Sequence, residues 1–178
     1  MAWEFDVLYW FQSIHGPIQD AFFSFITHFG DAGLFWIIMT LLVLIFVKDK
    51  RVGLTAILAL VIEASICNLL LKPLVARDRP FWIDPSVQML VNPPSDYSFP
   101  SGHSGASFAA AVAFVQYNRK WGIAAIVLAA LIAISRMYLF IHFPTDVLTG
   151  ILLGIASGIV SGIIIRALYR HFGKTQQV

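Results

Sequence analysis

Five apolar runs joined by polar links decide what this chain can fold into. They cover roughly residues 33–47, 52–71, 102–117, 121–139 and 147–168. A bilayer core of about 30 Å takes roughly 20 helical residues to cross, so each run is a candidate span. The first is short alone and must borrow residues from its flanks. Charged residues make up only 12% of the 178-residue chain, about half the share of a soluble domain. Mean hydropathy is +0.78. A soluble fold of this length keeps most of its perimeter in water and has no interior for so much apolar surface. The expectation is a single all-α membrane domain over residues 1–178, a polytopic helix bundle of five or six transmembrane helices.

The stretch before the first run has a different pattern. Trp3, Val7, Trp10, Phe11 and Ile14 share one helical face, as do Ile18, Phe22, Phe25, Ile26 and Phe29 beyond the break at Gly16-Pro17. Glu4, Asp6, Gln12, Gln19 and Asp20 tend to the opposite side. Residues 1–30 therefore read as two amphipathic helices at the membrane surface, with aromatic rings suited to the interface. The alternative is a sixth span broken near residues 30–33. These thirty residues contain no Lys or Arg, so they lack the basic start of a secretory signal.

The links at 48–51 and 118–120 are tight turns, so the spans they join are antiparallel. Eight of the twelve basic residues then fall on one side: Lys48, Lys50, Arg51, Arg119, Lys120, Arg166, Arg170 and Lys174. Cytoplasmic loops collect such charges, which makes that side the inside. Lys72, Arg77, Arg79 and Arg136 lie at the opposite ends, against this bias. Anion binding explains them. The net charge of +2 gives no reason to expect nucleic acid. The lone Cys67 excludes an internal disulfide.

Three segments meet on the outer side by the parity of the spans. Lys72 and Arg79 offer a point charge and a planar fork to phosphate oxygens. Ser101-Gly102-His103 opens a helix, whose free N–H groups receive an anion. Gly102 keeps no side chain between backbone and phosphate, and Arg136 closes the cage from another helix. His142 and Asp146 are four apart, so the carboxylate can fix the tautomer and leave the other ring nitrogen free to attack. His103 can protonate the leaving oxygen and then activate water. Asp146 is the only acid tied to this core, which leaves no carboxylate cluster for a metal; no metal or cofactor is expected.

The order Lys-x6-Arg-Pro, Pro-Ser-Gly-His, Ser-Arg-x5-His-x3-Asp resembles the three-part signature of the type 2 phosphatidic acid phosphatase (PAP2) superfamily. Lys72, Arg79, Pro80, Pro100, Ser101, Gly102, His103, Ser135, Arg136, His142 and Asp146 match it without gap or substitution, within a core of about residues 52–168. The resemblance implies a phosphohistidine on His142, acid/base work by His103 and orientation of His142 by Asp146. It also implies phosphate contacts from Lys72, Arg79, Ser101, Gly102, His103 and Arg136, with Arg77 and Asp78 outside the conserved core of the first motif. The implied activity is lipid phosphate or lipid pyrophosphate hydrolysis in a bacterial inner membrane, with the active site outward. Undecaprenyl pyrophosphate is narrowly favoured over phosphatidylglycerol phosphate or phosphatidic acid. A lipid phosphotransferase would use the same intermediate. A transporter would need more spans and midplane breaks, and the related haloperoxidases are soluble and larger.

Two further features carry expectations. Glu63 is nine residues from Lys72, about half a turn around an α-helix, so it should point away from the phosphate cage into a structural hydrogen bond. Asn68 shares the face of Lys72. Gly150, Gly154, Gly158 and Gly162 form a small-residue strip that favours close helix packing within a monomer over a weak homodimer seam.

Overall fold

A computed structural model describes residues 2–175, with side chains to residue 172. The helices are α1 (Ala2–Ser13), α2 (Pro17–Thr27), α3 (Leu34–Phe46), α4 (Arg51–Ala64), α5 (Lys72–Val75), α6 (Pro80–Ile83), α7 (Gly102–Val115), α8 (Arg119–Tyr138) and α9 (Pro144–Thr175). No strand occurs among the described residues. Among the described residues four stretches are long and apolar enough to cross a membrane: Pro17–Phe46, Arg51–Ile83, Arg119–Tyr138 and Pro144–Phe172. The shorter apolar helix Gly102–Val115 stands among them as the fifth. The first span does borrow from its flank, joining α2 to α3 through a 3-10 segment at His28–Gly33.

α7 is the central helix, and its composition explains why. Ser104, Gly105, Ser107, Ala109, Ala110, Ala111 and Ala113 are all buried, so α4, α8 and α9 can approach its backbone closely. Its fourteen residues reach about 21 Å, against about 30 Å for the twenty of α8. The start of α7, where His103 sits, is therefore recessed relative to the longer helices around it.

The glycine strip of α9 packs inside the monomer. A Cβ on Gly154 would press on the Gly105 carbonyl, on the Ala109 nitrogen at 2.9 Å and on the Phe108 Cβ at 2.9 Å. Gly150 meets the first turn of α7 and Gly158 meets Val112. Trp36 of α3 donates to the Ser107 hydroxyl at 2.8 Å inside the bundle. Leu34, Ile37, Ile45 and Phe46 remain exposed on the outside of α3, as a lipid-facing wall requires.

The basic ends gather as the charge count predicts. The Arg51 guanidinium lies 6.0 Å from the Tyr117 ring centroid and 5.9 Å from that of Tyr169. Arg166 donates to Gln116 at 2.8 Å. The 48–51 turn, the 118–120 turn and the end of α9 thus share one end of the bundle. The side chain of Lys174 lies outside the described residues.

The N-terminal helices correct one expectation. Trp3, Trp10, Ile18, Phe22 and Phe25 are exposed, and of the polar sides Asp6 and Gln19 are exposed while Glu4, Gln12 and Asp20 turn into the protein. Glu4 is buried with Leu8 and Phe11. Tyr138 donates its hydroxyl to Asp20, and Gln12 donates to the Tyr138 carbonyl. Glu4, Gln12 and Asp20 thus pair with the protein's own polar groups, and the exposed rings are left for lipid.

Because the atoms facing Gly154 are mostly backbone, the helices must separate to admit a larger side chain. Gly154→Val should cost about 1–3 kcal/mol or more, read as a lower thermal midpoint in detergent. Leu152→Val, on the 58% exposed face, should leave the midpoint nearly unchanged. An unaltered midpoint for Gly154→Val would contradict this packing.

Candidate active site

The three sequence segments converge on one cavity of about 1010 Å³. Its polar end holds Lys72, Arg79, Gly102, His103, Arg136 and His142. Ile37, Leu41, Ile57, Leu60 and Val61 line its apolar end, between α3 and α4.

His142 stands on the turn between α8 and α9. Its own N–H and that of Ile141 donate to the Arg136 carbonyl at 3.2 and 3.1 Å, which closes α8 and turns the chain back. Phe140 takes a left-handed φ of 58° in this turn, a conformation unfavourable for a bulky residue. Its fully buried ring, beside Phe5 and Tyr9 of α1, holds it there. Nδ1 of His142 lies 3.3 Å from the Ser98 hydroxyl and 3.7 Å from Asp146 Oδ2. Ser98 donates to that same carboxylate oxygen at 2.6 Å. The serine hydroxyl thus sits between the two groups expected to bond directly. Nε2 faces the cavity, 3.2 Å from Arg79 Nη1. Burial first, and then the charges of Arg79, Arg136 and Lys72, push the His142 imidazole well below its ordinary pKa. The ring is neutral, with a lone pair on one nitrogen.

Asp146 is fully buried at the start of α9. Oδ2 also accepts from the Phe143 N–H at 2.9 Å, and Oδ1 accepts from Arg77 at 2.6 Å. Arg77 reaches on to Glu4 at 2.7 Å, and Glu4 accepts from Thr145 at 2.6 Å. Arg77 therefore pairs with two of the protein's own acids, and it fastens α1 to the buried Asp146 carboxylate.

Arg79 is 1% exposed and fixed along its whole edge. It donates to the Asp96 carbonyl and carboxylate, each at 2.6 Å, and to the Tyr97 and Ile141 carbonyls, each at 3.2 Å. Lys72 also pairs with Asp96. Burial pushes the Asp96 carboxyl up, but the Lys72 hydrogen bond and the two cations outweigh it and hold it at about 2. The carboxylate stays ionised and occupies the two cations that a phosphate would need. Arg136 donates to Thr27 at 2.6 Å, while its Nε has no partner.

The opening of α7 divides its expected work. A Cβ on Gly102 would meet Cys67 Sγ at 3.7 Å and Asn68 Oδ1 at 3.9 Å, ordinary contacts. Packing does not demand glycine there, and Gly102 lines the cavity wall. Ser101 lies beside Gly102 but points elsewhere. Its buried side chain caps the helix, 3.4 Å from the Ser104 N–H and 3.0 Å from the Ser104 hydroxyl, and it does not line the cavity. His103 meets Asp31 Oδ1 through Nε2 at 3.0 Å.

Glu63 departs from its expected place. Residues Ser65–Leu71 form a π-helix, whose wider turn takes up about one extra residue. The register slips by about 100°, and Glu63 comes to line the cavity with Lys72. Its Oε1 has no hydrogen-bond partner. Asp31, Asp96 and Glu63 thus join Asp146 near the cage, where the sequence singled out one acid. Ser98 had a usable signal, directly before Phe99-Pro100-Ser101. Asp31 had a weaker one, an acid between glycines at the break after Phe29. Asp96 and Glu4 had none, because their roles depend on contacts distant in sequence. No cluster of three or more His, Cys, Asp or Glu able to hold a metal ion occurs among the described residues.

A family model described as the PAP2 superfamily matches residues 52–170. The undecaprenyl-diphosphatase of Sulfolobus acidocaldarius is 38% identical over 116 residues, covering 65% of this chain and 56% of that protein. The chain thus spans little more than half of that relative's length. The crystal structure of Aquifex aeolicus LpxE superposes with a TM-score of 0.76 at 28% identity, covering 88% of this chain and 93% of that one. A transmembrane PAP2 type phosphatidylglycerolphosphate phosphatase from Bacillus subtilis does so with a TM-score of 0.76 at 27% identity, covering 93% and 86%. With these neighbours and its apolar spans, the protein is a multi-pass membrane protein.

The charge environment of His142 is open to direct measurement. At about pH 6 an ordinary imidazole is mostly protonated, whereas His142 should give the ¹⁵N shifts of a neutral ring in histidine-labelled protein. An imidazolium signal for His142 at that pH would refute the assignment.

Proposed function

The chain belongs to the PAP2 superfamily, and on that premise we propose that it is a membrane phosphatase hydrolysing a lipid phosphate or diphosphate through a phosphohistidine on His142. The observation that carries this reading is the neutral Nε2 of His142 opening into a cavity with a cationic end and an apolar end. Substrate phosphate displaces Asp96 from Lys72 and Arg79, and Arg136 and the Gly102-His103 N–H groups receive the remaining oxygens. Nε2 attacks phosphorus in line as the P–O bond breaks. The leaving oxygen takes its electron pair and a proton from His103. Water then attacks the phosphohistidine, giving a proton to His103 and returning the N–P pair to His142. Three cations and a helix N-terminus stabilise the charge on the transferring group.

The apolar end supports a lipid substrate. Ile37, Leu41 and Val61 line the cavity and are also exposed on the flank of the bundle, so a hydrocarbon tail can run from the bilayer to the cage. A polyprenyl diphosphate fits this layout and the naming of the Sulfolobus relative. Phosphatidylglycerol phosphate is the next choice, after the Bacillus neighbour.

Pure protein in mixed micelles should release phosphate from a polyprenyl diphosphate without an acceptor and in excess EDTA. His142→Ala should lose at least about 10³-fold in turnover, since no neighbouring group replaces the nucleophile. Turnover of that variant near the wild-type level would end the mechanism. Phosphate release only on adding an acceptor lipid would make the protein a transferase.

The gathered basic ends support an outward-facing site. Gln88 and Asn118, both exposed, report the two sides. In a Cys67→Ala background, Gln88→Cys should react with an impermeant thiol reagent on intact cells. Asn118→Cys should react only after permeabilisation. The reverse pattern would place the site in the cytoplasm and remove outer-leaflet lipids as substrates.

A further inference from the structure

His103 is held by a residue outside the three motifs. Its Nε2 lies 3.0 Å from Asp31 Oδ1, while Asp31 Oδ2 lies 2.7 Å from His28 Nδ1. The backbone is shaped for this contact. Asp31 leaves the helical region with φ −59° and ψ 119°, and Ala32 and Gly33 follow with φ of 48° and 66°. An uninterrupted helix from α2 to α3 would avoid the unfavourable left-handed alanine. The break instead turns the Asp31 side chain onto the first turn of α7. Gly30 completes the fit, because a Cβ there would press into the His103 ring, 2.9 Å from its Cγ.

We propose that Asp31 is a positioning residue for His103, a second carboxylate–histidine pair serving the acid/base step as Asp146 serves the nucleophile. The inference rests on the phosphatase reading above. With Nε2 committed to Asp31, Nδ1 is the nitrogen that serves the leaving oxygen. The substrate phosphate offsets the nearby guanidinium charges, and with it bound the working form of His103 is the imidazolium, its Nε2–H donated to the Asp31 carboxylate. As the His142 N–P bond forms and the P–O bond breaks, the Nδ1 proton passes to the leaving oxygen. The neutral ring keeps its Nε2–H on Asp31. Nδ1 then takes a proton from the attacking water, and the imidazolium is restored. The guanidinium groups of Arg136 and Arg79 act on the same ring. Asp31 supplies the opposite charge and fixes which nitrogen is free.

Leaving-group dependence tests this, since a leaving oxygen that needs no proton needs no positioned acid. Asp31→Asn, Asp31→Glu and wild type would be compared on soluble phosphate esters running from an alkyl ester to a highly acidic phenol. Asp31→Asn should reduce kcat roughly 10- to 100-fold on the alkyl ester, less than the roughly 10²–10⁴-fold of a whole general acid because His103 itself remains. On the most acidic phenol the loss should be under about 3-fold, with KM little changed throughout. Asp31→Glu, which keeps the carboxylate, should fall between Asp31→Asn and wild type on the alkyl ester. An equal loss on every ester, or no loss, would overturn the proposal. If Asp31→Asn does not fold, Asp31→Glu decides it alone: a loss confined to poor leaving groups supports the pairing and a uniform loss overturns it. A wild type without turnover on any ester or lipid would instead remove the phosphatase reading on which the pairing rests.

Discussion

The buried carboxylate of Asp146 is the constraint on which the site's geometry depends. A charge in this position is expensive unless paired and hydrogen-bonded. Asp146 meets that demand with Arg77 on one oxygen, and with Ser98 and the Phe143 N–H on the other. Its carbonyl accepts from the Ser101 N–H at 3.0 Å. Those bonds tie the start of α9 to the start of α7, to the loop carrying Ser98, to the turn carrying His142 and, through Arg77 and Glu4, to α1. Asp146 therefore registers α9 and its entry turn with the 98–101 segment, with Arg77 and with α1, which are distant in sequence. Phe143 sits in the same arrangement, with the Arg77 guanidinium 4.1 Å from its ring centroid.

Two departures from regular α-helix serve the cavity. The 3-10 break at His28–Gly33 brings Asp31 and Gly30 to His103, and the π segment at Ser65–Leu71 turns Glu63 toward Lys72. Both lie beside the start of α7, where close packing is needed on one side and open space on the other. Breaks of this kind are tolerated at membrane depth only where backbone is covered by protein or lines a cavity. Both conditions hold here.

The spans, the convergence of the three motifs and the gathering of the basic turns were legible in the sequence, because they follow from hydropathy and from parity along the chain. The faces of α1 and α2 were only half legible. Apolar periodicity located Trp3, Trp10 and Phe22, yet it carries no information on whether Glu4 and Asp20 meet water or Arg77 and Tyr138. Glu63 was misplaced because 100° per residue was applied across a stretch that is not α-helical. The Ser101 hydroxyl caps α7, a use that the motif alone does not reveal. Asp96 could not be found from spacing, since its loop is irregular and its partners Lys72 and Arg79 lie 24 and 17 residues away.

Asp96 also bears on how a cage of cations remains stable without its anion. Lys72, Arg79 and Arg136 converge in a confined space, where like charges repel more strongly than in water. Asp96 offsets that repulsion and is 51% exposed in doing so, so its displacement returns a carboxylate to a largely aqueous setting. Glu63, sealed within the bundle at 1% exposure, cannot exchange in this way. The two acids near the same cations therefore differ in kind. One sits half exposed on an irregular loop and, under the function proposed above, gives way to phosphate. The other is fixed between α4 and α7, against Gly105, where the polar and apolar ends of the cavity meet. A lipid phosphate entering from the α3–α4 side would pass Glu63 and replace Asp96. Charge neutralisation would then change hands without leaving the cage empty.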